Sequence, residues 1–548
     1  MKLDWFWSTV GADSRPRAGL RAGVGRIAPA WAASPWRRSA QLLSLGLFCW
    51  VIAGVLTVTG PDYAAFSQSG LARAFLWLDP LLSLVVSLAS GILAASAVIG
   101  LASLAASAAA PRAFCGYLCP LGTMIDLFDW AIGNRFRRLH RRGGRGRHVG
   151  RFIVLAGVMA LAAGGVMAAG FVAAIPLATR GAISAWARWQ LLNGRPSWEQ
   201  LSPGQPGLYL SLGLLLLVLA LGAMGRRFWC RRLCPSGAMF SLMAPLRLSQ
   251  RTVNSACIRC GKCEKSCPFG AIDPDDFSTR HGNCTFCQTC GGVCPTRAIH
   301  FAPRWARSAP LTAPDGQHAK PPGEPVDLRR RELMLAALVG LGGLAGGGYF
   351  LRKLLPSPRP SLVRPPGALE EDTFLAACIR CGQCIEVCPT RTLQPVGLEG
   401  PGLWTPRASG DLAPCDSSCN LCGQVCPTGA IARLDLPQKR ERKMGRAAVE
   451  AAICLAFSRQ QECMACQAAC ANAGYFAIES VAAGAASGQA AVAQGDQADP
   501  PPPAGVDAPV VSDRCVGCGA CQAACMKRNV REAKLLPRPA IRVFPIDA

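Results

Sequence analysis

The sequence predicts an α-helical membrane bundle of about five spans joined to small α+β domains built around cysteine. Three observations predict it: long apolar runs, an alternating distribution of Arg and Lys between them, and six regular groups of four Cys in a chain of 548 residues with 29 Cys. Only 5 His are present and no C-x-x-C-H occurs, which excludes covalent c-type haem. A chain this long builds cores of ordinary domain size without a disulfide scaffold, so its Cys are expected to do chemistry.

A helix needs about 20 apolar residues to cross a hydrocarbon layer of roughly 30 Å. Four runs approach that length, approximately Leu42–Thr59, Leu78–Ala106, Phe152–Ile175 and Leu208–Met224, and none contains the His that a membrane b-type haem would use. Basic residues between them number seven before the first run, one (Arg73) after it, nine after the second, three after the third and six after the fourth. This alternation follows the positive-inside rule and places the N-terminus and Arg226 in the cytoplasm. Residues 1–251 hold 26 basic and 7 acidic side chains, so most of the formal charge of +25 is a topology signal. No basic face is interleaved with stacking aromatics, and nucleic acid is not an expected partner. A fifth run, Leu333–Leu351, follows Arg330-Arg331-Glu332 and reads as a twin-arginine export signal retained as an anchor, or as an ordinary span with Arg at its inner end. Both readings put the rest of the chain outside the cytoplasm.

The expected order is a basic cytoplasmic N-terminus (1–40), a four-helix membrane domain (41–250), a cytoplasmic domain (251–300), a linker (301–328), the fifth span (329–352) and an outer domain (353–548) with a low-complexity linker at 482–511. In the cytoplasmic domain, Cys257, Cys260, Cys263, Cys267-Pro268 and Cys284, Cys287, Cys290, Cys294-Pro295 each read C-x2-C-x2-C-x3-C-P, the bacterial ferredoxin run. Three close thiolates wrap one [4Fe–4S] cluster and the turn at Pro sends the fourth to its neighbour, giving Cys257, Cys260, Cys263 with Cys294, and Cys284, Cys287, Cys290 with Cys267. Tetrahedral zinc is the competing ligand.

Four groups follow in the outer domain. Cys378, Cys381, Cys384, Cys388-Pro389 repeats the run; Cys415, Cys419, Cys422, Cys426-Pro427 widens the first gap by one residue. Cys454, Cys463, Cys466, Cys470 widens it to eight, and Cys515, Cys518, Cys521, Cys525 restores it, the last two without Pro. Spacing leaves adjacent and nested pairing of the groups open, and an oxidising location keeps disulfides in competition. Six [4Fe–4S] clusters is the expected count, on small bacterial ferredoxin-like domains whose folding draws on metal insertion. No dinucleotide fingerprint or hydrolytic constellation accompanies them, and no catalytic residue is identified.

Four further Cys form two C-x3-C-P motifs, Cys115 and Cys119 after the second run, Cys230 and Cys234 after the fourth. Their matching placement suggests that they meet, to hold an additional metal centre or to act as a redox dithiol. Cys49 is expected to be a packing residue.

Residues 40–300 resemble the NapH type of ferredoxin-related membrane protein, with four spans and paired C-x3-C-P motifs. Residues 329–548 resemble the NapG or MauM type, with a twin-arginine leader and four Cys groups. The resemblance implies a quinol dehydrogenase of the bacterial inner membrane, passing electrons from membrane quinol to a periplasmic reductase or carrier, as in periplasmic nitrate reduction. It also admits a redox accessory factor that matures or reactivates a metalloenzyme. Two departures are the missing Pro after Cys470 and Cys525, and the fusion itself, which frees the acceptor from being nitrate reductase.

Overall fold

The computed structural model describes residues 34–57, 71–91, 96–133, 149–192, 206–274, 276–305, 362–397, 402–458, 461–481 and 507–546. The basic segment before residue 34, the fifth apolar run and its Arg residues, and most of the two expected linkers lie outside them. The chain divides into two compact units, one of Met1–Ile52, Ala74–Gly181 and Leu212–Leu354, the other of Ala53–Arg73, Ala182–Ser211 and Leu355–Ala548.

The fold is mostly α-helical with small two-stranded sheets. The first expected span is observed as α1 (Pro35–Thr57), a helix of 23 residues. Its outer surface carries Leu43, Leu47 and Trp50, all exposed, as suits a helix whose solvent is lipid. Cys49, expected in the packing, is exposed with them.

The expectation of about five spans is corrected here. Among the described residues only α1 is long and apolar enough to cross a bilayer; the other apolar helices have 10–17 residues. The second run contains Asp79 and is two helices, α3 (Pro80–Ser90) and α4 (Ser96–Ala109), preceded by α2 (Leu71–Trp77). Asp79 caps α3 by accepting from the Leu81 N–H, Pro80 supplies the first helical residue, and Gly91 ends it in the left-handed conformation at φ +70°. The two helices lie side by side: Ser103 donates to the Leu78 carbonyl at 2.8 Å and Ser83 to that of Ser96 at 3.2 Å. Small residues permit this approach, a Cβ on Gly100 falling 3.0 Å from the Ser83 hydroxyl. The third run breaks at Gly164-Gly165 between α6 (Gly150–Ala163) and α7 (Ala174–Leu192). The fourth is α8 (Pro206–Ala220), closed by a 3-10 turn at Leu221–Met224. Apolar length counted along a sequence does not register such breaks, because Gly, Ser and Asp-Pro dipeptides lower mean hydropathy little while ending a helix outright.

The motif Cys residues lead into short helices, α5 (Pro120–Phe128) after Cys119, and α9 (Phe228–Arg232) and α10 (Pro235–Leu242) around Cys234. The first ferredoxin-like domain is closed by antiparallel β1 (Ser249–Val253) and β2 (Ile299–Pro303), registered from Ser249 opposite Pro303 to Val253 opposite Ile299.

In the other unit, β3 (Leu393–Pro395) pairs with β4 (Pro406–Ala408), β5 (Arg446–Val449) with β8 (Ile541–Phe544), and β6 (Ile478–Val481) with β7 (Ala508–Val511). The pairing of β6 with β7 corrects the expected linker at 482–511, whose last four residues are strand. Among the described residues the cores of this unit include one around Phe374, Ala377, Ala430 and Ile431, one around Ala447, Leu455, Ala477 and Ile541, and a small one of Val387 and Val425.

Candidate metal centres and the paired thiol motif

The narrow Cys groups share a loop geometry set by backbone conformation. The residue before the second Cys and the residue after it are left-handed in each: Arg259 and Gly261, Phe286 and Gln288, Arg380 and Gly382, Gly517 and Gly519. Two such residues within three positions reverse the chain around a common centre, so three thiols point inward. The widened groups use other devices. In the second outer group the extra residue is absorbed by a turn in which Asp416 accepts from the Ser418 N–H at 2.8 Å.

Four cavities are each lined by four Cys. One gathers Cys284, Cys287, Cys290 and Cys267, the set expected from the spacing. Another gathers Cys378, Cys381, Cys384 and Cys426, a third Cys515, Cys518, Cys521 and Cys470, and a fourth Cys454, Cys463, Cys466 and Cys525. Cys388 acts electrostatically on Cys415, Cys419 and Cys422. The outer groups are therefore brought together as adjacent pairs, first with second and third with fourth, which the spacing had left open. Cys257 and Cys263 lie within electrostatic reach of each other and Arg251 donates to the Cys263 sulfur at 3.9 Å; Cys260 is exposed.

Five of the six fourth Cys carry a further signature. Backbone N–H groups donate to their sulfurs: Ala271 to Cys267 and Ala298 to Cys294 at 3.3 Å, Ile431 to Cys426 at 3.4 Å, Ala477 to Cys470 at 3.2 Å and Ala540 to Cys525 at 3.3 Å. Such bonds favour thiolate over thiol. Burial works against it, pushing Cys381 and Cys466 up to about 12 and Cys415 up to about 11. Cys287 is drawn down although burial opposes it, by the Arg37 guanidinium and then the Thr289 hydroxyl. Charge from bound metal is what buried thiols of this kind need in order to ionise.

Among the described residues no three His, Cys, Asp or Glu side chains converge closely enough to hold one metal ion. A zinc ion holds sulfur at about 2.3 Å. The Cys sets instead each ring a cavity that takes thiols from two Cys groups.

The two C-x3-C-P motifs do meet. Cys119 and Cys234 have the same backbone conformation (φ −67°, ψ 114° and φ −65°, ψ 113°), each followed by Pro at the start of a helix. The four thiols act electrostatically on one another, and burial, before these mutual repulsions, pushes Cys230 up to about 11 and Cys119 and Cys234 higher still. Sequence reasoning missed the residues that organise this site. Three positions before the first Cys of each motif stands a buried Arg in the left-handed region, Arg112 at φ +51° and Arg227 at φ +50°. Each reaches across to the other motif: Arg227 donates to the Cys115 carbonyl at 3.0 Å, Arg112 to the Cys230 carbonyl at 3.5 Å. A Cβ on Gly122 would fall 3.2 Å from Arg227, and one on Gly237 2.9 Å from Arg112. The two motifs thus make reciprocal contacts, each Arg serving the other half. The signal was in the sequence as a longer repeat, R-x2-C-x3-C-P-x-G, spanning Arg112–Gly122 and Arg227–Gly237.

Asp126 of α5 anchors the arrangement. It accepts from Arg227 at 2.8 Å, Arg37 at 2.9 Å and Arg38 at 2.7 Å. Burial opposes its ionisation, but Arg227, then Arg37 and Arg38, hold the carboxyl well below the usual carboxylate range. Asp79, fully buried, accepts from Ser236 in the second motif at 2.7 Å.

The ferredoxin-like domain of this unit sits against the thiol site. Phe269, just after Cys267-Pro268, lies under both guanidinium groups, 4.5 Å from Arg227 and 5.6 Å from Arg112. Tyr117, between Cys115 and Cys119, donates to the Phe286 carbonyl at 2.9 Å, and Ser34 to that of Cys287 at 3.0 Å. The first and last of these contacts touch residues of the Cys267 and Cys284 loops, so the two sulfur sites are packed neighbours.

Comparison with known proteins gives the following matches. A 4Fe-4S binding domain matches residues 92–139 and 207–252, the two stretches that hold the C-x3-C-P motifs, and a 4Fe-4S dicluster domain matches residues 256–298 and 377–430. The methylamine utilization ferredoxin-type protein MauM of Methylorubrum extorquens is 33% identical over 229 residues, 40% of this chain and 91% of its own. The ferredoxin-type protein NapG of Escherichia coli is 31% identical over 224 residues, 40% of this chain and 86% of its own. The putative electron transport protein YccM of Escherichia coli is 27% identical over 282 residues, 48% of this chain and 73% of its own.

Proposed function

Starting from a chain that belongs to the NapG and MauM family of ferredoxin-type iron–sulfur electron-transfer proteins, we propose a membrane-attached quinol dehydrogenase component. It takes electrons from membrane quinol and passes them to a reductase or carrier outside the cytoplasm, nitrate reductase being one such acceptor. The observation that carries this reading is the grouping of thiols: three from one Cys group and the fourth from its neighbour line each cavity. That cross-pairing is the ferredoxin way of setting clusters side by side. Bound [4Fe–4S] clusters, six in this reading, would supply one-electron chemistry. The chain's own residues do the rest: left-handed loops aim the thiols, backbone N–H groups stabilise them as thiolates, and apolar side chains keep water away.

The four motif thiols are read as a further metal centre. Arg112 is buried and donates to the Gly282 and Cys230 carbonyls, neither of them charged. A group held by four thiolates would be anionic and would answer that charge. Phe269 and the Arg pair would then bridge this centre to Cys267 of the neighbouring set.

Exposed apolar residues on α1 and the charge alternation support attachment to the bacterial inner membrane. The division into units supports the proposed sidedness, since the segments Ala53–Arg73 and Ala182–Ser211, which overlap the two loops that the charges place outside, fall in one unit with the C-terminal Cys groups.

The test is reduction by quinol. Purified protein in liposomes, mixed with a menaquinol analogue, is expected to lose absorbance near 400 nm within the turnover time of a partner reductase. Reduction far slower than that turnover would instead favour the accessory-factor role.

A further inference from the structure

The four outer Cys sets form a row whose order differs from their order in the sequence. The Cys378 and Cys415 sets share a core, with Cys378, Cys384, Cys422 and Cys426 packed on Phe374 and Ile431. The Cys415 set joins the Cys515 set directly: the Cys415 N–H donates to the Cys518 carbonyl at 2.8 Å. Beside that joint Gln522 donates to Asp411 at 2.6 Å, and a Cβ on Gly519 would meet Gly410 at 3.0 Å. The Cys515 and Cys454 sets share the second core. The last Cys group of the sequence is thus interior to the row, and Cys454, Cys463, Cys466 and Cys525 stand at its end. At the other end Ile183, from the segment Ala182–Ser211 of the same unit, lies 3.9 Å from the Cβ position of Gly382, next to Cys381.

We propose that the Cys454, Cys463, Cys466 and Cys525 set is the exit of the outer half, and that the basic turn beside it docks a one-electron acceptor protein through a carboxylate-lined face. The turn is Met526–Glu532, a π-helix that continues directly from Cys525. At its centre Asn529, buried, donates to the sulfurs of Cys463 at 3.5 Å and Cys525 at 3.6 Å. Lys527, Arg528, Arg531 and Lys534 around it are exposed, against the acidic Glu532 in the turn and Glu462 beside Cys463. Arg531 also donates to the Asp411 carbonyl at 3.3 Å, and Arg538 is paired with Glu450. One residue therefore touches the terminal sulfurs while its neighbours present positive charge to solvent. Such a collar concentrates anionic partners where the electron path reaches the surface. In the transfer one electron leaves the reduced terminal set for the acceptor's redox centre, with no bond or proton moved on this chain. The proposal rests on the reading that these Cys sets hold iron–sulfur clusters.

The experiment uses the full-length protein in lipid nanodiscs, reduced with dithionite and freed of excess reductant. It is mixed in a stopped-flow with hexacyanoferrate(III), a small anionic oxidant, or with tris(phenanthroline)cobalt(III), a cationic one. In the triple variant K527E/R528E/K534E, the hexacyanoferrate rate is expected to fall about tenfold at low ionic strength, the cobalt rate to rise, and both changes to fade as salt screens them. The control R433E/R442E, exposed on the same unit, is expected to leave both rates unchanged. Equal rates in the triple variant and the native protein, or equal slowing in the control, would overturn the proposal. So would unchanged rates with lost sedimentation on anionic vesicles, which would reassign the collar to lipid. A native protein without absorbance near 400 nm would sink the cluster reading itself, a separate failure visible before any rate is measured.

Discussion

The thiol site between the C-x3-C-P motifs and the outer Cys sets hold sulfur in opposite ways. In the outer sets the work is local. Left-handed residues flank the second Cys of the narrow groups, backbone N–H groups from Ile431, Ala477 and Ala540 bind the fourth Cys of three groups, and the charges that act on the thiols, Arg380 on Cys378 and Lys439 on Cys415, come from within the same unit. The motif site is non-local: its four thiols come from stretches 115 positions apart in the chain, and buried guanidinium groups crossing between the halves hold the geometry. Local wrapping is robust because each loop carries its own geometry. A site assembled from distant helices depends on a few long-range bonds, and Asp126 carries three of them.

The largest expected effect follows from that dependence. Asp126→Asn leaves three buried or half-buried Arg facing a neutral amide, and removal of one partner from a buried ion network costs about 3 to 5 kcal/mol. Thermal unfolding should show the whole first unit destabilised while the outer clusters keep their spectrum; loss confined to the outer sets would break the contrast. The pH dependence has a defined sign. A carboxyl held below its ordinary value stabilises the fold fully above its unfolded pKa of about 4 and loses that contribution only as pH falls through the lower folded value. Asp126 should therefore add no slope between pH 5 and 8, and acid titration of the native protein against D126N checks this.

Next in size is Gly517→Ala. Gly517 sits at φ +74° and an added Cβ would lie 2.6 Å from the backbone of Gly445. Left-handed strain and overpacking together cost roughly 2 to 4 kcal/mol. The effect should stay local, with iron content falling by one cluster and the other clusters' spectra intact. Gly429→Ala is the matched comparison: φ is +74° but nothing lies within 4 Å of the new atom, so about 1 kcal/mol is expected, with full iron content.

The smallest change is electronic. Asn529→Leu removes two N–H···S bonds without altering a ligand. Hydrogen bonds to sulfur stabilise the reduced, more negative state, so one cluster potential should fall. A redox titration followed by electron paramagnetic resonance checks this, and an unchanged set of potentials would show that local polarity does not tune the end of the row.

The ferredoxin-like loops were readable in advance because their geometry is encoded in contiguous residues. Cys spacing counts the residues needed to wrap a centre, and the Cys-Pro turn marks where the chain leaves for the next. Absence of Pro after Cys470 and Cys525 proved no obstacle to placement, since helix Ala465–Asn472 and strand-edge N–H groups position those thiols instead. The helical breaks were harder to read. Asp79-Pro80 and Gly91 divide what looked like one span, and Asp79 was hidden among apolar neighbours.

The sequence by itself determined the chemistry of this protein: which residues offer thiols, in what groups, and which segments are apolar enough for a membrane. These properties are carried by residue type and local spacing. Only the tertiary structure decided which groups share a cavity, that the row ends at Cys454 rather than at the last group, and that Arg112 and Arg227 exchange places across two motifs. Those are contacts between positions far apart in the chain, where the choice among pairings is made by packing and burial.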